Sequence, residues 1–214
     1  MRINPYLYYS AALGSYYQDE LGLTMAFMIL KFQYTKPKRA YHSWTHIDGM
    51  LRLYFAHEAA IEDKETVLLA ILYHDAVYDV SRTDNELESA NFFVENVHPN
   101  VATERVEKVK NYIYATKKHD YAGDDMDLNY FLDFDLAILG TTPANYRKYT
   151  EKIRVEYDIY PDALYYAGRK AIMESFLARK SIYKTRMFKD LYEEKARMNI
   201  QRELEELEVM LTKA

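Results

Sequence analysis

Three histidines and an aspartate between residues 42 and 75 are residue types that hold a divalent ion. They fall in Tyr41-His42-Ser43-Trp44-Thr45-His46 and in Tyr73-His74-Asp75-Ala76-Val77-Tyr78-Asp79. His42 and His46 are four apart, so on a helix they share one face about one turn from each other. His74 and Asp75 adjoin at the end of the apolar run Val67-Leu68-Leu69-Ala70-Ile71-Leu72-Tyr73. Imidazole with carboxylate suits iron, manganese, zinc or magnesium. Such an ion brings the pKa of a bound water towards neutrality and polarises a phosphoryl oxygen. Taken alone, Asp75 is equally a helix-terminal carboxylate in a salt bridge. With two metals it is the natural bridge, because a carboxylate has two oxygens to share.

Further along, the informative groups are carboxylates inside apolar runs, since a buried charge is costly unless paired or bound to metal. Asp135 lies in Phe131-Leu132-Asp133-Phe134-Asp135-Leu136-Ala137-Ile138-Leu139. Asp133 and Asp135 are two apart on an expected helix, so only one faces the core; Asp135 is the better candidate, and Asp133 is expected in solvent. Glu86 follows Asp75 by eleven residues, across a polar loop. It is a candidate to orient an attacking water or bind a second metal, against the plainer reading of a helix N-terminal charge. Asp79 has a weaker version of the same case. Arg39, Arg154, Arg169 and Arg197 carry planar forks that match phosphate; Arg154 and Arg169 are singled out for substrate, against ordinary surface ion pairs. His57 lies about 16 Å beyond His46 along a helix axis and is expected at the surface. His98, before Pro99, reads as a solvated turn residue.

The elements that position these groups read as helices. The run Leu21 to Phe32 predicts a buried helix, ended by the loop Thr35-Lys36-Pro37-Lys38-Arg39. Ile47, Met50, Leu51, Tyr54 and Phe55 keep the 3.6-residue period of a helix from about Ser43 to His57. Asp63 is a plausible N-cap for the helix carrying His74 and Asp75. Further helices are expected over Asn85 to Val97, Val101 to Thr116, Leu128 to Gly140, Ala144 to Tyr157, Asp162 to Tyr183 and Phe188 to Leu211. Gly140 is the expected stop of its helix. The stripe Ile200, Leu204, Leu207 and Leu211 suits packing on the body or pairing with a second copy.

Composition narrows the function classes. With 214 residues, 49% apolar and 29% charged, an all-α, single-domain helical bundle over residues 1–214 is expected. Six glycines and five prolines disfavour many-turned β architectures. The net charge of −5 argues against extended nucleic-acid binding. The absence of cysteine excludes disulfides, thiolate zinc sites and cysteine nucleophiles. No run approaches a membrane span and no leader is evident, so a cytoplasmic protein is expected. The 22 tyrosines have no functional account at this level.

The order His46, then His74-Asp75, then Asp135 on three expected helices resembles the HD superfamily of metal-dependent phosphohydrolases. The closer likeness is to a family of predicted HD phosphohydrolases of about this length. It extends over Arg39-Ala40-Tyr41-His42, His46-Ile47, His74-Asp75-Ala76-Val77-Tyr78-Asp79, Asn85-Glu86, Ser89-Ala90 and Phe131 to Gly140. It continues in Ile153-Arg154-Val155-Glu156-Tyr157, Gly168-Arg169 and Ala196-Arg197-Met198-Asn199. The resemblance implies a helical bundle in which His46, His74, Asp75 and Asp135 hold a divalent ion (manganese, iron, magnesium, cobalt, nickel or zinc), one or two per chain. Tyr41-His42-x-x-x-His46 is similar to the opening of cyclic-nucleotide phosphodiesterases, which implies His42 as general acid, although Ser43 stands where those enzymes commonly have asparagine. Related two-metal enzymes place extra histidines before the final aspartate, which implies His119 as a second-metal or substrate ligand. The expected activity is hydrolysis of a phosphate ester in a nucleotide or similar small metabolite, with a homodimer possible. A di-iron oxygenase and a non-catalytic nucleotide-binding regulator are the alternatives.

Overall fold

The computed structural model describes residues 4–213, and every regular element among them is helical. The described chain forms two compact units, one up to Phe134 and one from Asp135 onward.

The first unit is assembled around α4 (Lys64–Tyr73), whose residues from Thr66 to Tyr73 are all buried. A helix apolar on every side has to be surrounded, and α1 (Pro5–Leu13), α3 (Trp44–His57), α5 (Asn85–Asn96) and α6 (Thr103–Ala115) pack on it. Its start is held twice. Asp63 accepts from the Thr66 amide at 3.2 Å and the Thr66 hydroxyl at 2.8 Å, as an N-cap should. The Asp127 carboxylate in turn accepts from the amides of Glu62 and Asp63 at 2.9 and 2.7 Å. The helix stops at Tyr73, so His74 is its C-cap and Asp75 lies in the following turn.

Much of the tyrosine content is explained by the core. The Tyr34 hydroxyl donates to the Leu72 carbonyl at 2.8 Å, Tyr9 meets Tyr73 at 3.3 Å, and Tyr112 donates to Asp125 at 2.9 Å. Each ring fills buried volume while its hydroxyl finds a partner, which a phenylalanine would not need and a serine could not reach.

α2 (Glu20–Gln33) differs from the buried helix the sequence predicts. It turns Leu23, Phe27 and Leu30 inwards and leaves Leu21, Met25, Met28, Ile29 and Phe32 exposed. Composition could not separate the two faces, because both are apolar.

α7 (Met126–Leu136) supplies the last residues of the first unit and the first of the second. A 3-10 turn, Ala137–Gly140, follows it. In the second unit α8 (Pro143–Glu156), α9 (Asp162–Leu177) and α11 (Glu194–Leu211) are the main helices, with α9 against α11. The one-turn α10 (Arg186–Phe188) and a π-helical turn (Lys189–Glu193) lead into α11. Ile200, Leu204 and Leu207 are buried in this unit, so that stripe packs on the body.

α9 ends at Leu177 rather than near Tyr183, and side chains of the α11 region account for it. Arg197 donates to the carbonyls of Leu177 and Arg179 at 3.1 and 2.8 Å. Glu193 accepts from the amides of Ile182 and Tyr183 and from the Ser181 hydroxyl. These bonds replace the ones a longer helix would have made. Gly140 acts through space rather than as a left-handed cap: a Cβ there would lie 2.7 Å from both the Cβ and the carbonyl oxygen of Tyr192.

Candidate metal centre

Two chain segments of the first unit deliver the candidate ligands. His46 lies on the inner face of α3, in its first turn, and is 7% exposed. His74, at the end of α4, is 1% exposed. Asp75 follows with a side chain 17% exposed.

Three ligand atoms converge. His46 Nε2 and His74 Nε2 are 3.2 Å apart, His74 Nε2 and Asp75 Oδ2 3.1 Å, and His46 Nε2 and Asp75 Oδ2 3.7 Å. A point equidistant from the three lies about 2 Å from each, the length of a bond from imidazole or carboxylate to a first-row divalent ion.

The tautomer of His74 supports this reading. Its Nδ1 lies 3.1 Å from the Ile71 carbonyl, which can only accept, so Nδ1 carries the proton. In the neutral ring Nε2 is then a bare lone pair, aimed at a carboxylate oxygen 3.1 Å away. Two lone pairs at that separation repel unless a cation, either a proton or a metal, lies between them. A backbone acceptor behind Nδ1 is also what orients metal-binding histidines generally.

Electrostatics keeps Asp75 ionised. Burial by itself raises its pKa; with a proton between His74 and Asp75, the His74 charge and hydrogen bond, helped by His42 and His46, outweigh burial and hold the carboxyl below the usual range. It is therefore an acceptor with lone pairs available, not a proton donor.

His42 is placed differently from the expectation of a shared helical face. α3 begins at Trp44, so His42 precedes it in the entering turn. Its ring stacks on Tyr78 with centroids 4.0 Å apart and 25° between planes, and lies 6.0 Å from the His46 ring. The organiser of this corner is Arg39. Its guanidinium donates to the carbonyls of His42 (3.1 Å), Asp75 (2.7 Å) and Ala76 (2.9 Å), tying the turn before α3 to the turn after α4. It also lies over the Tyr34 and Tyr78 rings. Behind it, the Ser89 hydroxyl bonds both backbone groups of Val77, and Asn85 bonds both backbone groups of Asp79.

The other candidates have partners of their own or lie in the second unit. Glu86, in the first turn of α5, faces Lys117 at 3.6 Å. His119 ends the α6 region with a left-handed φ of 51°, its amide bonded to the Ala115 carbonyl. Asp79 caps its own turn through Ser81. Arg154 donates to the carbonyls of Tyr157 and Tyr160 and to Asp162, closing the α8–α9 turn. Arg169 is buried, its fork on Glu203 at 2.8 and 3.2 Å and its third nitrogen on the Tyr149 hydroxyl at 3.1 Å. Asp135 opens the second unit and is half-buried. Asp133, expected in solvent, is fully buried instead. The expectation of a surface His57 is also corrected: it is half-buried, stacked near Tyr130 and Phe134, and its pKa is lowered by desolvation. His98 packs against Tyr16 and Tyr17 while its Nδ1 accepts from the Asn100 amide.

Sequence reasoning offered Arg39 only as a phosphate contact and missed the roles of Tyr78 and Ser89. No local pattern marks an arginine whose partners are carbonyls some 36 residues away. No helix among the described residues is long and apolar enough to cross a membrane. Comparison with protein-family models, with curated proteins and with solved structures finds no match to this chain.

Proposed function

We propose that this chain is a metal-dependent phosphohydrolase of the HD type, cleaving a phosphate ester of a nucleotide or similar small metabolite. The observation that carries the reading is the convergence of His46 Nε2, His74 Nε2 and Asp75 Oδ2 around a point at metal-ligand distance, with the His74 proton held on the far nitrogen. Asp135 is the proposed fourth ligand, on the strength of the sequence resemblance. When bound, a divalent ion supplies Lewis acidity and brings the pKa of a water towards neutrality. The chain's own residues do the rest. Asp75 stays ionised and accepts. Arg39 holds the two turns in register. A ring nitrogen of His42, in its stack with Tyr78, carries the proton that the leaving oxygen takes up.

The test is metal content of the wild type beside Asp75→Ala, with phosphate release from nucleoside mono-, di-, tri- and cyclic phosphates under each restored ion. Near-stoichiometric metal in the wild type and a loss of at least about tenfold in affinity in the variant are expected, given direct ligation. A folded wild type that takes up no metal overturns the centre. Metal uptake without phosphate release across the panel leaves the centre and overturns the activity.

A further inference from the structure

The outer face of α2 carries a second message. Leu21, Met25, Met28, Ile29 and Phe32 are 69, 58, 52, 46 and 65% exposed on one helix. Leu21, Met25, Met28 and Phe32 follow one another at steps of four, three and four, the seam spacing of paired helices. The opposite face, Leu23, Phe27 and Leu30, already packs into the first unit. A contiguous apolar patch of this kind is uncommon on a monomer's surface.

We propose that this face pairs with the same face of a second copy of the chain, the two α2 helices running antiparallel. Three features favour a copy over another partner. First, the four-three-four spacing reads the same in both directions. A two-fold axis between Met25 and Met28 therefore sets Leu21 against the partner's Phe32 and Met25 against the partner's Met28, in one self-complementary register. Second, the only charged residues of α2 are Glu20 and Lys31, at opposite ends, both exposed and on the same flank of the seam. Antiparallel pairing keeps that flank of both copies on one side and brings each Glu20 towards the partner's Lys31; parallel pairing puts the two flanks on opposite sides of the seam, where the charges do not meet. Third, from their fractional exposures the five side chains expose on the order of 600 Å² per copy, so a pair buries at most about 1,200 Å², the small end of specific interfaces. Paired methionines at the centre tolerate imperfect fit. The dimer is accordingly weak and concentration-dependent.

Sedimentation of the whole chain between about 1 and 200 µM tests this, the range in which an interface at the small end of the size scale associates. The wild type is expected to pass from monomer to dimer. Met28→Glu, at an exposed position that leaves the helical signal unchanged, is expected to weaken association at least about tenfold by placing charge in the seam. Glu20→Lys and Lys31→Glu are each expected to weaken it about three- to tenfold, and the two together to restore it, because the swap re-forms both rim pairs. Restoration is the outcome that non-specific aggregation cannot give. A wild type that stays monomeric throughout, a dimer indifferent to Met28→Glu, or a double swap no better than the single ones would each overturn the proposal.

Discussion

Replacing Arg39 is the most informative single perturbation, because it acts on the candidate metal centre without touching a proposed ligand. Its guanidinium makes three hydrogen bonds of 2.7 to 3.1 Å to carbonyls of two turns that are distant in sequence. Arg39→Met keeps most of the side-chain volume and removes every donor. Hydrogen bonds from a charged donor contribute about 1.5–3 kcal/mol each, but the three losses are not independent. Once one turn loosens, water reaches the other carbonyls and replaces part of what was lost. We therefore expect destabilisation of about 3 kcal/mol, with some of it from lost stacking on Tyr34 and Tyr78. Arg39→Lys retains the charge but cannot fork across three acceptors, so it should recover about a third of the loss. Urea unfolding measures this, read as a shift in midpoint at constant slope. Metal titration of the folded variants supplies the second readout: with the His42 and Asp75 turns untied, affinity should fall about tenfold, since displacing an outer-shell partner typically costs 10–100-fold. A change below about 0.5 kcal/mol in Arg39→Met, with unchanged metal affinity, refutes the clamp, since that is the range of an inconsequential surface substitution.

Other outcomes follow from the same structure. Gly140→Ala should destabilise by about 1–3 kcal/mol, because its Cβ meets backbone as well as side chain at Tyr192. Gly49→Ala, on α3 with open space around it, should stabilise by about 0.5–1 kcal/mol, both glycine variants being read by urea unfolding. Glu203→Gln should cost about 3–5 kcal/mol by leaving the buried Arg169 charge without its carboxylate, measured by denaturant unfolding. Burial raises the Glu193 pKa, but bonds from Ile182, Tyr183, Ser181 and Arg197 more than offset it and leave the value lowered. Its contribution is thus complete above the ordinary carboxylate pKa and lost as pH falls through the depressed one. Acid titration of unfolding should therefore be flatter in Glu193→Gln than in the wild type.

The sequence by itself determined the helices whose periodicity or caps are local. Asp63 caps α4 as its position before a long apolar run requires, and α3 buries Ile47, Met50, Leu51 and Tyr54 at the expected period. It also singled out His46, His74 and Asp75, because a metal needs those atom types and the chain places them at element ends. What it could not decide were properties set by a distant neighbour. Two apolar faces of α2 look alike until one of them meets the core. Asp133 and Asp135 are equivalent carboxylates in one apolar run, and only packing determines that Asp133 is the fully buried one. Arg169 and Arg154 have the chemistry of phosphate ligands, yet Glu203 and Asp162 lie closer to them than any substrate is required to come. Arg39 looked like one more surface cation until folding brought the carbonyls of Asp75 and Ala76 within reach of its fork. Side-chain chemistry is written residue by residue, but the partner that uses it is chosen by the fold. That is why the candidate ligand types were readable in the chain, and the residues that hold them in place were not.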